Sequence, residues 1–240
     1  MTLFISSCQA PDSKTLVIGH RGARGHVVEN TLASISKAIE LGVDGVEIDV
    51  FRCATGELVV FHDKTLDALT NGTGYIEQMS LDSIKQFLVL GKEPIPTLNE
   101  VMDLIDGTIQ LNIELKGTQT AVLTSELIEH YFETSNWEAK NIFISSFDWN
   151  ELDQFYKVNQ KVAIAVLTED DPIHAIPVAK RLAAFAVNPD FKSLTEANVD
   201  KIHEAGFKVY PWTVNELEDI ERMIAIGVDA LITDFPERIE

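Results

Sequence analysis

Disulfide chemistry, a basic surface and membrane-spanning segments are all missing from this chain. It has two cysteines, Cys8 and Cys53, too few for a disulfide framework or a thiolate metal cluster. Lys and Arg number 19 against 38 Asp and Glu, a net charge of −19, so the basic footprint of a nucleic-acid binder is lacking. A polybasic patch for an anionic membrane surface is lacking as well. No apolar run approaches the ~20 residues needed to span a bilayer. No Pro/Gly/Ser-rich linker or shift in composition divides the 240 residues, which excludes two small domains. What remains is one large domain with 45% hydrophobic residues, enough for a continuous core. The acidic excess repels anionic ligands at long range, so an anion would need a local cation to hold it.

Short β-branched runs alternate with helical patterns. Strands are predicted at Leu16–Gly19, Val46–Val50, Leu111–Leu115, Ile142–Ser145, Val162–Leu167, Phe185–Val187, Lys208–Thr213 and Ala230–Thr233. Helices are predicted at Thr31–Leu41, Leu98–Ile105, Leu123–Phe132 and Ala197–Glu204. Such alternation implies parallel βαβ units, and eight of them imply a closed (β/α)8 barrel, the TIM-barrel architecture. Residues 51–97 break the rhythm with an extra run at Leu58–His62 and a glycine-rich turn around Asn71–Gly74. We read them as an insertion after the second strand, on the face where barrel active sites form.

Residues 1–14 read as an N-terminal tail, and 15–240 as the single domain. Ile5-Ser6-Ser7-Cys8 resembles the end of a bacterial lipoprotein signal, although the apolar stretch is short and has no basic start. The expected location is the cytoplasm, or the cell envelope or periplasm if Cys8 is a lipoprotein cysteine.

Glu47 and Asp49 lie two apart on a predicted strand and share one face. Pointing inward at the barrel mouth, they would repel unless a proton or a cation intervened. An oxygen-rich site of this kind suits Mg²⁺, Mn²⁺ or Ca²⁺ better than zinc. On spacing alone, solvated acids at a strand end explain the pair at least as well. Glu114 and Lys116 repeat the spacing on the next barrel strand and offer a third carboxylate and a cation near a phosphate. An ordinary salt bridge is the plain alternative. His20-Arg21-Gly22 follows the first strand: an imidazole to move protons, a guanidinium to grip a phosphate and a glycine for a sharp turn. His62-Asp63 supplies another histidine, with Asp63 as a turn starter. His26, His130, His174 and His203 read as surface or structural.

In order, His20-Arg21-Gly22, Glu47-x-Asp49 and His62-Asp63 resemble the signature of the glycerophosphodiester phosphodiesterase family. The resemblance spans nearly the whole chain. Glu29-Asn30-Thr31, Thr65–Gly74, Ile95–Leu98, Glu114–Lys116, Ser145–Phe147, Trp212–Asn215 and Ile232–Pro236 fit further family segments. Val28 stands where the family has proline, and Ala68 where arginine is common. Neither departure removes a catalytic group.

The resemblance implies that Glu47, Asp49 and Glu114 bind one divalent cation, Mg²⁺ or Ca²⁺ with Mn²⁺ as a third choice. It implies His20 and His62 as the acid–base pair, and Arg21 and Lys116 as ligands of the phosphoryl oxygens. Phe147 and Trp212 would line the apolar side of a glycerol or head-group pocket, with a plain core role for Trp212 weighing equally. The implied reaction yields glycerol 3-phosphate and an alcohol, with the glycerol 2-hydroxyl or water as attacking group. The implied partner is a small glycerophosphodiester rather than nucleic acid. Two rivals remain: a phospholipase D-like relative, which would need an apolar rim not visible in the insertion, and a silent barrel acting as a receptor.

Overall fold

The computed structural model describes residues 14–239. The tail with Cys8, and with it the lipoprotein-like stretch, falls outside these residues apart from Lys14. Eight parallel strands form a nearly closed barrel: β1 (Leu16–Gly19), β2 (Gly45–Arg52), β6 (Gln110–Leu115), β7 (Ile142–Ser146), β8 (Ala163–Thr168), β9 (Ala186–Pro189), β10 (Lys208–Val209) and β11 (Ala230–Thr233). The sheet runs β10-β9-β8-β7-β6-β2-β1-β11. Backbone hydrogen bonds from Asp229 N to the Val209 carbonyl (3.0 Å) and from Ile232 N to the Pro211 carbonyl (3.0 Å) draw its two ends together.

The predicted strands hold to within a residue or two, except Lys208–Thr213. There the ladder stops at Val209. Pro189 on β9 has no N–H to donate to the Tyr210 carbonyl, and the chain beyond touches the sheet again through a bridge between Trp212 and Asp190.

The helices α1 (Leu32–Glu40), α3 (Leu98–Ile105), α4 (Thr120–Thr134), α5 (Trp149–Val158), α6 (Ile176–Arg181), α7 (Glu196–Glu204) and α8 (Leu217–Ala225) follow the barrel strands. A short α2 (Leu81–Ile84) lies in the segment after β2. Thr31 caps α1 by accepting from Ser34 N, and Thr97 with Glu100 forms a reciprocal cap on α3. The main core lies between strands and helices. A smaller cluster inside the barrel contains Ile18, Phe143, Ala165, Ala186, Tyr210 and Ile232. Small alanines opposite large aromatics let the inward-facing layers interdigitate. Among the described residues, no helix is long and apolar enough to cross a membrane.

The segment after β2 turns back as β3 (Leu58–Val60), antiparallel to β2 with Val50 opposite Val60. It continues through a second small hairpin of β4 (Leu88–Val89) and β5 (Glu93–Pro94). Phe51, Cys53, Val59, Phe61, Leu66, Ile76, Ile84, Val89 and Ile95 bury together here in a separate core. Tyr75, Leu88 and Leu90 are exposed apolar side chains of the same segment.

Candidate active site

The parallel ladder between β2 and β6 builds the acidic cluster. Its register sets Glu47 opposite Asn112 and Asp49 opposite Glu114, so the acids face inward side by side near the C-terminal end of the barrel. Glu47, Asp49 and Glu114 are buried, and each offers an oxygen within 4.8 Å of the others. Burial, and then the charges of Asp49 and Glu114, hold the Glu47 carboxyl well above the usual carboxylate range. Burial and Asp49 push Glu114 up to about 7. Asp49 goes the other way: burial opposes its ionisation, but Arg21, Lys116 and the Asn30 amide outweigh it and hold its carboxyl low.

Two histidines meet this cluster. His20 follows β1 directly, and its Nδ1 lies 2.7 Å from Asp234 Oδ1, which arrives from just past β11. Burial lowers the His20 pKa, partly offset by that hydrogen bond. Burial opposes ionisation of Asp234, but His20, Asn215 and Arg24 outweigh it and keep its pKa low. An ionised Asp234 accepts from Nδ1–H, which turns Nε2 to the cavity. His62 repeats the device with a neighbour in sequence, Nδ1 lying 2.6 Å from Asp63 Oδ1. Its Nε2 is 3.3 Å from the Lys116 ammonium.

Lys116 also approaches Glu114 (3.0 Å) and Asp49 (3.7 Å). Burial works against its charge, and those two acids more than restore it. Arg21 adopts a left-handed backbone with φ 51° and donates its own N–H to Glu47 Oε2 (2.9 Å). Its guanidinium donates to Glu29 (2.6 Å) and lies 3.3 Å from Asp49. Gly22, at φ 83°, lets the loop press on α1, since a Cβ there would collide with Ser34 Oγ.

These side chains open onto one cavity, lined by His20, Arg21, Glu47, His62, Glu114 and Lys116 on one side. Phe147 and Trp212 lie on the other, with ring centroids 5.2 Å apart and nearly perpendicular. Asp49 sits beneath the wall. All nine residues singled out from the sequence therefore gather at one mouth. A second groove shares Glu114, Lys116 and Phe147 with this cavity and runs past Lys64 and Tyr75.

Several participants had no role in the sequence reading. Asn30 donates to Asp49 Oδ2 (2.8 Å) and accepts from Asp49 N (3.2 Å), clamping that acid in place. Glu29 holds both Arg21 and Arg24. Asp234, itself held by Asn215 at 2.9 Å, and Asp63 orient the histidines; Asp63 is thus more than a turn starter. The family-like segments around 29–31, 215 and 234 contained these residues without their contacts. Asn112 gave no signal beyond its spacing two before Glu114. His26 and His203 pair with Glu237 and Asp229, away from the cavity.

The donor set fits a divalent cation. Glu47 Oε1 is buried without any hydrogen-bond partner, a costly state that a bound cation relieves. Three carboxylates favour a hard, oxygen-seeking ion.

Acids, imidazoles, a guanidinium and an ammonium gathered at the C-terminal mouth define the class: a (β/α)8-barrel enzyme. Residues 20–238 match the model of the glycerophosphoryl diester phosphodiesterase family. A glycerophosphodiester phosphodiesterase of Caldanaerobacter subterraneus subsp. tengcongensis is 38% identical over 235 residues, covering 94% of this chain and 96% of its own. One from Bacillus altitudinis is 31% identical, covering 93% and 96%. The solved structure of an Oleispira antarctica phosphodiesterase in complex with the product sn-glycerol-3-phosphate superposes with a TM-score of 0.84 at 30% identity, covering 94% of this chain and 95% of that one. This chain belongs to the glycerophosphoryl diester phosphodiesterase family.

Proposed function

We propose that the chain hydrolyses glycerophosphodiesters to glycerol 3-phosphate and an alcohol, using His20 and His62 for proton transfer and one divalent cation held by Glu47, Asp49 and Glu114. Mg²⁺ or Ca²⁺ suits the site best, and Mn²⁺ is a third choice. The observation that carries the reading is the buried acidic trio with an unpartnered Glu47 oxygen, set beside two imidazoles that each lean on a carboxylate. When bound, the cation would supply positive charge to a non-bridging phosphoryl oxygen.

The protein's own groups do the rest. Arg21 and Lys116 hold phosphoryl oxygens, their charges kept by the acids they touch. Asp234 and Asp63 fix the Nδ1 protons, so each Nε2 faces the substrate. One imidazole takes a proton from the attacking group, water or the glycerol 2-hydroxyl, and the other gives one to the departing alkoxide; where the 2-hydroxyl attacks, water then opens the cyclic phosphate. Phe147 and Trp212 pack against the carbon skeleton of the glycerol or the alcohol.

One observation favours a second reading, cleavage of head groups from lysophospholipids: the groove past the exposed Tyr75 would take the acyl chain carried by the glycerol. Coupled assays for glycerol 3-phosphate released from glycerophosphodiesters and for head-group alcohol released from lysophospholipids, run with Mg²⁺, with Ca²⁺ and after EDTA, separate the two. Release from glycerophosphodiesters that stops with EDTA and returns with the ion supports the first reading. Turnover of lysophospholipids alone replaces it with the second, and turnover insensitive to EDTA removes the cation.

A further inference from the structure

The strand order divides the cavity wall into two arcs. β1, β2 and β6 are neighbours, and with the turns that follow them they carry His20, Arg21, Glu47, Asp49, Glu114 and Lys116. Farther round, the chain at and beyond the ends of β7, β8 and β10 supplies Phe147, Glu169 and Trp212. On the first arc the fixed cations are already matched: Arg21 by Glu29 and Asp49, Lys116 by Glu114 and Asp49.

Glu169 stands apart. It lines the same cavity and is exposed, and among the described residues no hydrogen bond or ion pair engages its carboxylate. Across the same arc, Phe147 and Trp212 meet edge to face at 5.2 Å and 88°. The Trp212 ring is fixed by its N–H, which donates to the Asn188 carbonyl at 2.9 Å. The Lys116 ammonium lies 5.8 Å from the Phe147 centroid, so this aromatic wall already takes a cation on one side.

Ring faces attract cations, indole most strongly. A carboxylate on the same wall of a cleft adds a charge that bulk water only partly screens. We infer that Phe147, Trp212 and Glu169 form the leaving-group subsite and select glycerophosphodiesters whose alcohol is a cation, such as choline or ethanolamine. The inference rests on the proposed hydrolysis and adds Glu169 as its specificity-determining residue. The two ends of such a zwitterion match the two arcs, with phosphate toward Arg21 and Lys116 and ammonium toward Glu169. A zwitterion also escapes the long-range repulsion that the net charge of −19 imposes on an anion.

The test compares kcat and KM of the wild type, Glu169→Gln and Glu169→Lys on glycerophosphocholine, glycerophosphoethanolamine and glycerophosphoglycerol at saturating Mg²⁺. The wild type prefers the two cationic alcohols over the neutral one. Glu169→Gln lowers the ratio of kcat/KM for glycerophosphocholine to that for glycerophosphoglycerol by about tenfold, mainly through KM, and Glu169→Lys lowers it further. Added salt narrows the wild-type ratio. A ratio unmoved by Glu169→Gln overturns the inference, whether all substrates fall together, as for a hydroxyl acceptor or a folding role, or none falls. A wild type that cleaves all three without preference also overturns it and leaves hydrolysis standing. A wild type that cleaves none overturns the proposed function and this inference with it.

Discussion

His20 and His62 reach the same cavity by different routes. His20 extends from β1, a strand paired on both sides, and its ring is buried against Asp234 from 214 residues away. Closing the barrel is what makes that contact. His62 hangs from the segment after β2, half-buried and steadied by its sequence neighbour Asp63. It is tied to the barrel through Phe61, whose N–H donates to the Asp49 carbonyl (3.0 Å) and whose ring joins the small separate core. One imidazole is set by the global fold and the other by a satellite cluster, so damage to the two should be separable.

The largest effects should come from removing the rings themselves. His20→Ala and His62→Ala should each lower kcat by about 10²–10⁴-fold. They should differ in stability: loss of His20 strands the buried Asp234, whereas loss of His62 leaves a half-exposed Asp63 that water can serve. Thermal melts of both variants beside the kinetics check this. Near-normal turnover in either variant takes that residue out of the mechanism, and equal melting losses blur the contrast drawn above.

Next in size is Asn30→Ala. Asn30 touches Asp49 with both ends of its amide, and Asp49 is on the barrel side of the comparison. Removing such a partner of a metal ligand weakens the ion by about 10–100-fold, readable by titration calorimetry with Mg²⁺ or Mn²⁺. Unchanged affinity would show that the strand register alone aims Asp49.

A smaller effect distinguishes the two cores. Leu66→Ala in the satellite core and Ile105→Ala in the main core should each cost about 2–5 kcal/mol. Measured well below either melting transition, Leu66→Ala should lower kcat several-fold more, because it loosens the support of His62. Matching kcat values would mean that this cluster does not govern the second imidazole.

This contrast also marks what the sequence could convey. The eight strands were legible because buried parallel strands read as short β-branched runs, and Glu47 with Asp49 because a period of two forces them onto one face. That Asp49 would lie beside Glu114 depends on inter-strand register, which no local pattern carries; the ordered resemblance to a family supplied it instead. The Asp234 contact to His20 was hidden for the same reason, at the greatest sequence distance in the site. Asn30 lies in the family-like run Glu29-Asn30-Thr31, where its side chain reads as one more helix-start residue. Pro189 carried the one strand error from the neighbouring strand: its missing N–H interrupts the ladder that the hydrophobic run at 208–213 suggested.

The acidic trio belongs wholly to the barrel, which gives the gentlest test. Burial and neighbouring acids raise Glu47, and raise Glu114 from an ordinary 4.5 to about 7. Below about pH 4.5 Glu114 is protonated whether the chain is folded or not, and it contributes nothing. As pH rises toward 7 the unfolded chain releases this proton first, which favours unfolding, and above about 7 the penalty is complete. Asp49 has the opposite sign: its lowered pKa stabilises the fold above the ordinary value of 3.8 and is lost in acid. A cation that displaces the Glu114 and Glu47 protons binds more tightly as pH rises, and binding to the folded form stabilises it in proportion to the logarithm of that affinity. The melting shift produced by 5–10 mM Mg²⁺, about a few degrees, should therefore be larger at pH 8 than at pH 5.5. Charging of His20 in acid enters with and without the ion and largely cancels in the difference. Glu114→Gln should flatten the pH dependence, while Leu66→Ala should keep it, since the satellite core supplies no ligand. A shift as large at pH 5.5 as at pH 8 would mean that these acids do not trade protons for the ion.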